Sequence, residues 1–152
     1  MNGLGEGLKR LFEQLSRGPA SGRASVTTSS FADHDQLDLN PSNPRAARIR
    51  AIVPKNASRG LTLTIGKGTI FEIPEDGGRY TEHRSAFDEA ATISKAVVAG
   101  RFRERVRING ENRVVSSKGT VDVPPAVTAR WRRLFVNPFG RTAVEHVQYE
   151  PY

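Results

Sequence analysis

The chain has 152 residues, a formal net charge of +7 and a hydrophobic fraction of 37%, which suits one domain with a core of modest size. It has no cysteine, so disulfides and thiolate-bound metal sites are excluded. Because no apolar run approaches the ~20 residues of a membrane span and the N-terminus lacks the apolar core of a signal peptide, we expect a cytoplasmic protein.

The positive charge is concentrated in residues 101–141. This segment has nine arginines and Lys118 against three acidic residues, whereas the other residues have 13 basic and 13 acidic side chains. Such asymmetry indicates an anionic partner, either nucleic acid or an acidic protein. Arginine also outnumbers lysine 18 to 5, as in an arginine-biased genome, and charged sheet faces are common without any partner.

Residues 3–17 have the pattern of an amphipathic helix that ends at Gly18-Pro19. Its apolar side chains recur at the 3.6-residue helical period, at Leu4, Leu8, Leu11, Phe12 and Leu15. We expect this helix to pack against the sheet of its own chain or against a second copy, in which case the helix or the sheet would join a homo-oligomer.

Residues 18–44 are rich in Ser, Thr, Gly, Pro, Asn and Asp, which predicts a flexible loop or linker with room for one short edge strand over 24–31. This linker would separate the N-terminal helix (1–17) from a single α+β domain (45–152). Asp33-His34-Asp35 has residue types that bind metals, but three consecutive residues of an extended chain cannot all face one ion. We therefore interpret it as a solvated loop and expect no metal and no cofactor.

Alternating apolar residues predict a strand over 45–53 and a hairpin with strands at 61–65 and 69–73. Gly66-Lys67-Gly68 would be the turn of this hairpin. The glycines also suggest a phosphate-binding loop, but the spacing and the following helix of that motif are missing.

A second helix is predicted over residues 82–99. Thr81 or Ser85 would be its N-cap, and Gly100 would follow its last turn. Its small apolar residues suit packing on a sheet.

The clearest pattern lies in residues 101–108. Arg101, Arg103, Arg105 and Arg107 alternate with Phe102, Glu104, Val106 and Ile108, so a strand would put the arginines on one face. Asn109-Gly110 predicts a two-residue type I′ turn into a return strand. A second turn at Lys118-Gly119 would lead into a third strand over 120–123.

This register places Glu104 and Asp122 in one row across three strands, with Arg113 diagonal to Glu104. One interpretation is a pair of carboxylates in a cleft, with Arg113 beside Glu104. The favoured one is a polar sheet end with a Glu104–Arg113 ion pair. A single β-bulge would move every later side chain of the strand to the opposite face of the sheet and so change these pairings.

Residues 126–136 fit a helix and a strand equally, and the β-branched start favours a strand. Trp131, which has Arg130, Arg132 and Arg133 as neighbours, is either a base-stacking residue with phosphate contacts or, as for most lone tryptophans, part of the core. A last strand is predicted over 141–149, in which Glu145 and His146 face opposite ways and are not a dyad.

These elements predict an α+β fold: an antiparallel meander packed against one main helix, plus the N-terminal amphipathic helix. The favoured function is a non-enzymatic module that binds nucleic acid or an acidic protein. Its partner-binding residues would be Arg101, Arg103, Arg105, Arg107, Arg113, Arg130, Trp131, Arg132 and Arg133. The alternative is a small-molecule-binding or hydrolytic domain with a pocket around Glu104, Asp122 and Arg113, and with His146 as a further catalytic candidate. The sequence contains no recognisable motif for a catalytic nucleophile, a metal site or a cofactor, and this disfavours an enzyme.

Overall fold

The structure is a computed structural model that describes residues 1–18, 23–56, 60–133 and 140–152. Its helices in these ranges are α1 (Gly3–Arg17) and α2 (Ala86–Val98). The strands are β1 (Ala24–Ser30), β2 (His34–Pro41), β3 (Ile49–Pro54), β4 (Leu61–Ile65), β5 (Thr69–Ile73), β6 (Phe102–Asn109), β7 (Val114–Val121), β8 (Val127–Arg132) and β9 (Thr142–Gln148).

The strands form two antiparallel sheets, and the predicted α+β class is confirmed. The first sheet is a meander in the order β1-β2-β3-β4-β5, and the second has the order β8-β7-β6-β9. The strands are thus divided between two sheets, which pack on each other where β5 contacts β7 and β8.

Helix α1 confirms the prediction for residues 3–17. The side chain of Asn2 caps it by accepting a hydrogen bond from the Gly5 amide at 2.9 Å. Leu8, Leu11 and Phe12 are buried, and α1 packs on β1, β2 and α2 of its own chain.

The edge strand predicted over 24–31 is confirmed by β1, which lies at the edge of the first sheet. The prediction of a loop is wrong for residues 34–41, which form β2. Residues 19–22 of the predicted loop lie outside the described residues. In β2, Leu37 and Leu39 belong to the core, but Asp35 and Asp38 are buried as well. These two buried acids concealed the strand, since they made it resemble a polar loop.

The buried carboxylate of Asp38 is held on the first sheet by cations. Arg48 Nη2 and Arg50 Nε lie 2.9 Å and 2.8 Å from its Oδ1, and Gln36 Nε2 donates to its Oδ2 at 2.7 Å. Burial raises the pKa of Asp38, but the hydrogen bonds from Arg50 and Gln36 and the charge of Arg48 outweigh it, so the pKa lies below its ordinary value.

One hydrophobic core joins α1, both sheets and α2. The first sheet contributes alternate residues such as Ile49, Leu63 and Phe71, as the period of two predicts, and the second sheet contributes Phe102 and Val121. Strands β4 and β5 and the turn between them confirm the sequence predictions. Strand β3 is confirmed too, but it begins at Ile49, four residues later than predicted.

Helix α2 begins four residues later than predicted. Ser85 is its N-cap, and its hydroxyl accepts a hydrogen bond from the Asp88 amide at 3.1 Å. The preceding segment is held outside the helix by the buried carboxylate of Glu89, which accepts hydrogen bonds from the amides of Arg79, Tyr80 and Thr81. Gly100 follows the helix with φ of 75°, as predicted.

The predicted two-residue turn at Asn109-Gly110 is wrong. The Asn109 amide bonds to the Arg113 carbonyl, which leaves three residues in the loop, and Asn112 takes the positive φ of 59°. The longer turn is stabilised because the side-chain oxygen of Asn109 accepts hydrogen bonds from the amides of Glu111 and Arg113 at 3.1 Å and 2.9 Å.

The predicted turn at Lys118-Gly119 and the separate strand over 120–123 are also wrong, because β7 runs straight through to Val121. Gly119 serves a different purpose: a Cβ there would lie 2.5 Å from Cγ2 of Thr69 and 2.7 Å from the Phe102 ring. The absence of a side chain therefore lets the two sheets approach.

Strand β8 confirms the choice of a strand over a helix for the start of 126–136, and β9 confirms the last strand. Residues 134–136 of the first prediction lie outside the described residues. In the described part of the chain, neither helix has the length and apolar character needed to cross a membrane.

Replacing Asp38 by Asn should lower the free energy of unfolding by about 1–3 kcal/mol at pH 7. The folded-state pKa lies below the unfolded value of about 3.9, so the stabilisation is complete above that pH and disappears as the pH falls through the folded-state pKa. Urea unfolding between pH 7 and pH 3 checks this. Exposed Asp76→Asn is the control, and an Asp38→Asn effect that stays constant over the pH range would contradict the ion-pair account.

Candidate functional site

Strand β6 has one buried and one exposed face. Phe102, Glu104 and Val106 are at most 2% exposed, whereas Arg103, Arg105 and Arg107 are exposed. The alternation predicted from the sequence is therefore confirmed, and it directs the arginines to the outer side of the second sheet.

The neighbouring strands extend this outer surface with further cations. Arg105 is paired with Lys118 on β7, and Lys118 is paired with Arg130 on β8. The next row joins Arg107, Ser116 and Arg132. We call the resulting surface the basic face, and its cations are Arg103, Arg105, Arg107, Lys118, Arg130 and Arg132.

Little acidic charge compensates the basic face. Arg103 is paired with Asp122, with 2.7 Å between Nη1 and Oδ2. The other five cations form no ion pair with any residue of the described ranges. Cross-strand neighbours lie about 5 Å apart, so like charges in one row repel each other.

Two adjacent grooves lie on this surface. One of about 310 Å³ is lined by residues that include Arg105, Arg107 and Arg132. The other, of about 320 Å³, is lined by residues that include Arg103, Lys118 and Gln148. Both are open to solvent, and cationic side chains are part of the lining of each.

Four of the predicted partner-binding residues lie off the basic face. Arg101 precedes β6, Arg113 is in the β6–β7 turn beside Glu111, and Arg133 follows the end of β8. Trp131 is paired with Ser117, whose hydroxyl donates to the Thr69 hydroxyl on the inner side at 3.3 Å, since the Thr69 proton is used by Glu104. The indole is therefore on the inner side and is half-buried.

Lys118 was not among the predicted partner-binding residues, although it lies on the basic face. The sequence interpretation placed it in a turn because Gly119 follows it, and only the pairing of β7 with β6 and β8 brings it between Arg105 and Arg130. The sequence signal that could have placed Lys118 in a strand is its position between Ser117 and Gly119, which are both buried while Lys118 is exposed.

The carboxylate of Glu104 is buried between the two sheets. Its Oε1 accepts hydrogen bonds from the amide and the hydroxyl of Thr69 at 3.0 Å and 2.7 Å. Its Oε2 accepts from the amide of Lys67 at 2.9 Å and from the hydroxyl of Tyr149 at 2.7 Å. Every one of these donors is neutral, and together they satisfy both oxygens.

The Gly66-Lys67-Gly68 turn thus does bind an anion, but the anion belongs to the protein. A Cβ at Gly66 would lie 2.6 Å from Oε2 of Glu104, so glycine allows the turn to close over the carboxylate. Burial, the charge of Glu104 and the hydrogen bond to it raise the pKa of Tyr149 above its ordinary value, which keeps the phenol protonated as a donor.

The predicted row of Glu104 and Asp122 is wrong. Gly119 and not Val115 lies opposite Glu104, and Asp122 is bonded to Arg103 on the outer side. Arg113 is in the exposed turn, with Nε 3.7 Å from Glu111, so the predicted Glu104–Arg113 ion pair is wrong too. The three residues do not meet in a pocket, because the register that brought them together is not the one that forms.

His146 lies beside the basic face and not in a catalytic cluster. It is paired with Arg105 across β6 and β9 and is exposed. As predicted, it is not a dyad with Glu145, which bonds to Lys67 on the other side of β9.

Within the described ranges, no three His, Asp or Glu side chains converge as ligands for a metal ion. In the Asp33-His34-Asp35 segment, Asp33 bonds to His34 Nδ1 at 2.7 Å, while Asp35 accepts a hydrogen bond from Ser30. The hydrogen bond with His34 lowers the pKa of the exposed Asp33.

Comparisons of the chain with protein-family models, with curated protein sequences and with solved structures found no match.

Replacing Glu104 by Gln should lower the free energy of unfolding by about 2–4 kcal/mol. The amide nitrogen would then face a backbone N–H, because each carboxylate oxygen accepts from one amide. Tyr149→Phe, which removes one donor, should cost less, about 1–2 kcal/mol.

Chemical denaturation of both variants measures these differences. Glu111→Gln, in the exposed turn, is the control and should change the free energy of unfolding by less than about 0.5 kcal/mol. If Glu104→Gln unfolded at the wild-type denaturant concentration, the carboxylate would not hold the sheets together.

Proposed function

We propose that this chain is a non-enzymatic module that binds nucleic acid on the basic face. The observation that carries the proposal is the row of Arg105, Lys118 and Arg130 across three adjacent strands. A repeating anion is the natural complement of such a row, since it would replace the repulsion between neighbouring cations by attraction.

The composition of the face favours nucleic acid over an acidic protein. Protein interfaces are centred on buried aromatic or aliphatic anchors. Of the large hydrophobic side chains that the described residues expose, Val144 stands beside the basic face, and it is only 42% exposed. Arginine and Ser or Thr hydroxyls make up most of the rest, and these are groups that contact phosphates.

The alternative of a ligand-binding or hydrolytic pocket receives less support. Glu104 is 2% exposed and both its oxygens are satisfied, so it is not available to a substrate. Asp122 neutralises Arg103, and Arg113 is in a different part of the second sheet.

Binding of a short nucleic acid should weaken steeply with salt. Five uncompensated cations, at about 0.9 slope units for each duplex phosphate contact, give a log–log slope of about −4 to −5. The double variant Arg105→Glu/Arg130→Glu should weaken binding by about 100-fold or more near 0.1 M salt.

The matched control for that variant is Arg10→Glu/Arg84→Glu. It makes the same change in net charge on α1 and in the loop before α2, at two exposed positions away from the second sheet. Fluorescence anisotropy measures affinity, and circular dichroism verifies folding. Equal losses in both doubles would show that net charge and not the basic face governs binding.

Asp122→Asn should tighten binding, because it releases Arg103 from its ion pair. We expect a several-fold gain in affinity and a salt slope more negative by about one unit. Glu111→Gln is the control: it removes the same charge from the Arg113 pair in the turn and should leave the slope unchanged. A loss of affinity in Asp122→Asn would contradict the assignment of Arg103 to the interface.

A further inference from the structure

We infer, on the basis of the proposed function, that the basic face binds the phosphate backbone of duplex DNA and contacts both strands without reading the base sequence. Three properties of the face support this inference: its dimensions, the side chains it lacks and the hydrogen bonds that already engage its two amides.

The dimensions of the basic face match the two phosphate backbones of a duplex better than the one backbone of a single strand. The three cation-bearing strands, at a spacing of about 4.8 Å, span about 10 Å, and the three rows from Arg103 to Arg107 span about 13 Å along β6. The minor groove of B-DNA is about 6 Å wide, so this array can contact phosphates on both of its sides. A single strand follows one line and would leave much of the array without a phosphate.

The same width keeps the arginines away from base edges. The major groove is about 12 Å wide and admits a helix or a two-stranded ribbon. The second sheet has four strands, and cations stand on three of them, β6, β7 and β8. Such a sheet is too wide to enter the groove, so its cations stop at the phosphates.

Two amide side chains, Asn109 and Gln148, lie on the outer face of the described sheet, and both are already engaged. The Oδ1 of Asn109 accepts hydrogen bonds from the Glu111 and Arg113 amides of the turn. Gln148 is paired with Arg103 across β9 and β6. Its Nε2 lies 3.2–3.4 Å from the carbonyl oxygens of Gly100, Phe102 and Tyr149, which share its two N–H groups. An amide held in this way is not free to make the paired hydrogen bonds by which Gln recognises adenine.

Within the described residues, the outer face offers no Phe, Tyr or Trp ring as a stacking platform, and its one aromatic ring is the imidazole of His146. Proteins that hold single strands stack the bases on aromatic side chains. The Phe and Trp residues of the second sheet, Phe102 and Trp131, both lie on its inner side. A single strand would therefore gain little beyond phosphate contacts, whereas a duplex offers more of these and needs no stacking.

The test is a binding titration with a random-sequence duplex of about 16 base pairs, each of its two strands alone, a second duplex of unrelated sequence, and poly-glutamate. We expect both duplexes to bind equally, with slopes of about −4 to −5 against log salt. Each single strand should bind at least about tenfold more weakly, with a slope near −2.

The outcomes separate this inference from the proposed function. Single strands that bind as tightly and as steeply as the duplex would overturn the inference and leave nucleic-acid binding standing. A preference of more than about tenfold for one DNA duplex over the other would also overturn the inference and leave nucleic-acid binding standing. The same holds for a preference of that size for an RNA duplex over the DNA duplex of the same sequence. No binding of any nucleic acid at low salt would overturn both, and tight binding of poly-glutamate alone would assign the basic face to an acidic protein.

Discussion

The buried carboxylate of Glu104 is the interaction on which the arrangement of the two sheets depends. It extends from β6 of the second sheet, and it accepts hydrogen bonds from the β4–β5 turn of the first sheet and from Tyr149 after β9. A buried charge without these donors would be costly. The folded state therefore needs the turn, the strand and the tyrosine in contact, and Gly66 and Gly119 supply the space for their approach.

The same contact determines which way the arginines face. Glu104 stands between Arg103 and Arg105 in the strand, so holding its side chain inward obliges both neighbours to point outward. Stacking of the Phe102 and Tyr149 rings, with centroids 5.2 Å apart, reinforces the inward face next to it. A single buried anion thereby orients a row of exposed cations.

Acidic side chains are used inside the protein in a way that increases the exposed positive charge. Glu104 and Glu89 are both buried, and each accepts hydrogen bonds from backbone amides of a loop. Of the three acids in residues 101–141, one is therefore buried, one stands in the turn beside Arg113, and only Asp122 neutralises a cation of the basic face. The outer surface is more basic than the net charge of the segment indicates, which supports binding of a polyanion.

The sequence by itself determined the elements whose signals are local. The period of two in residues 102–108 and the apolar stripe of residues 3–17 depend only on neighbours along the chain, and both segments form as predicted. The same holds for the α+β class and for the direction of the arginines. Strand β2 was not predicted from the sequence, because its buried acids, Asp35 and Asp38, are stabilised by partners from other strands.

Only the tertiary structure decided the register and hence the site. The turn after β6 depends on the side chain of Asn109, and the course of β7 through Gly119 depends on Thr69 of another sheet. The donors to Glu104 lie 35 to 45 residues away in the chain. Which residues stand beside each other across strands is a matter of these distant contacts. For that reason the sequence indicated a basic face but not all of its residues. Only the tertiary structure showed that Lys118 lies on this face, that Trp131 does not, and that Glu104 and Asp122 are apart.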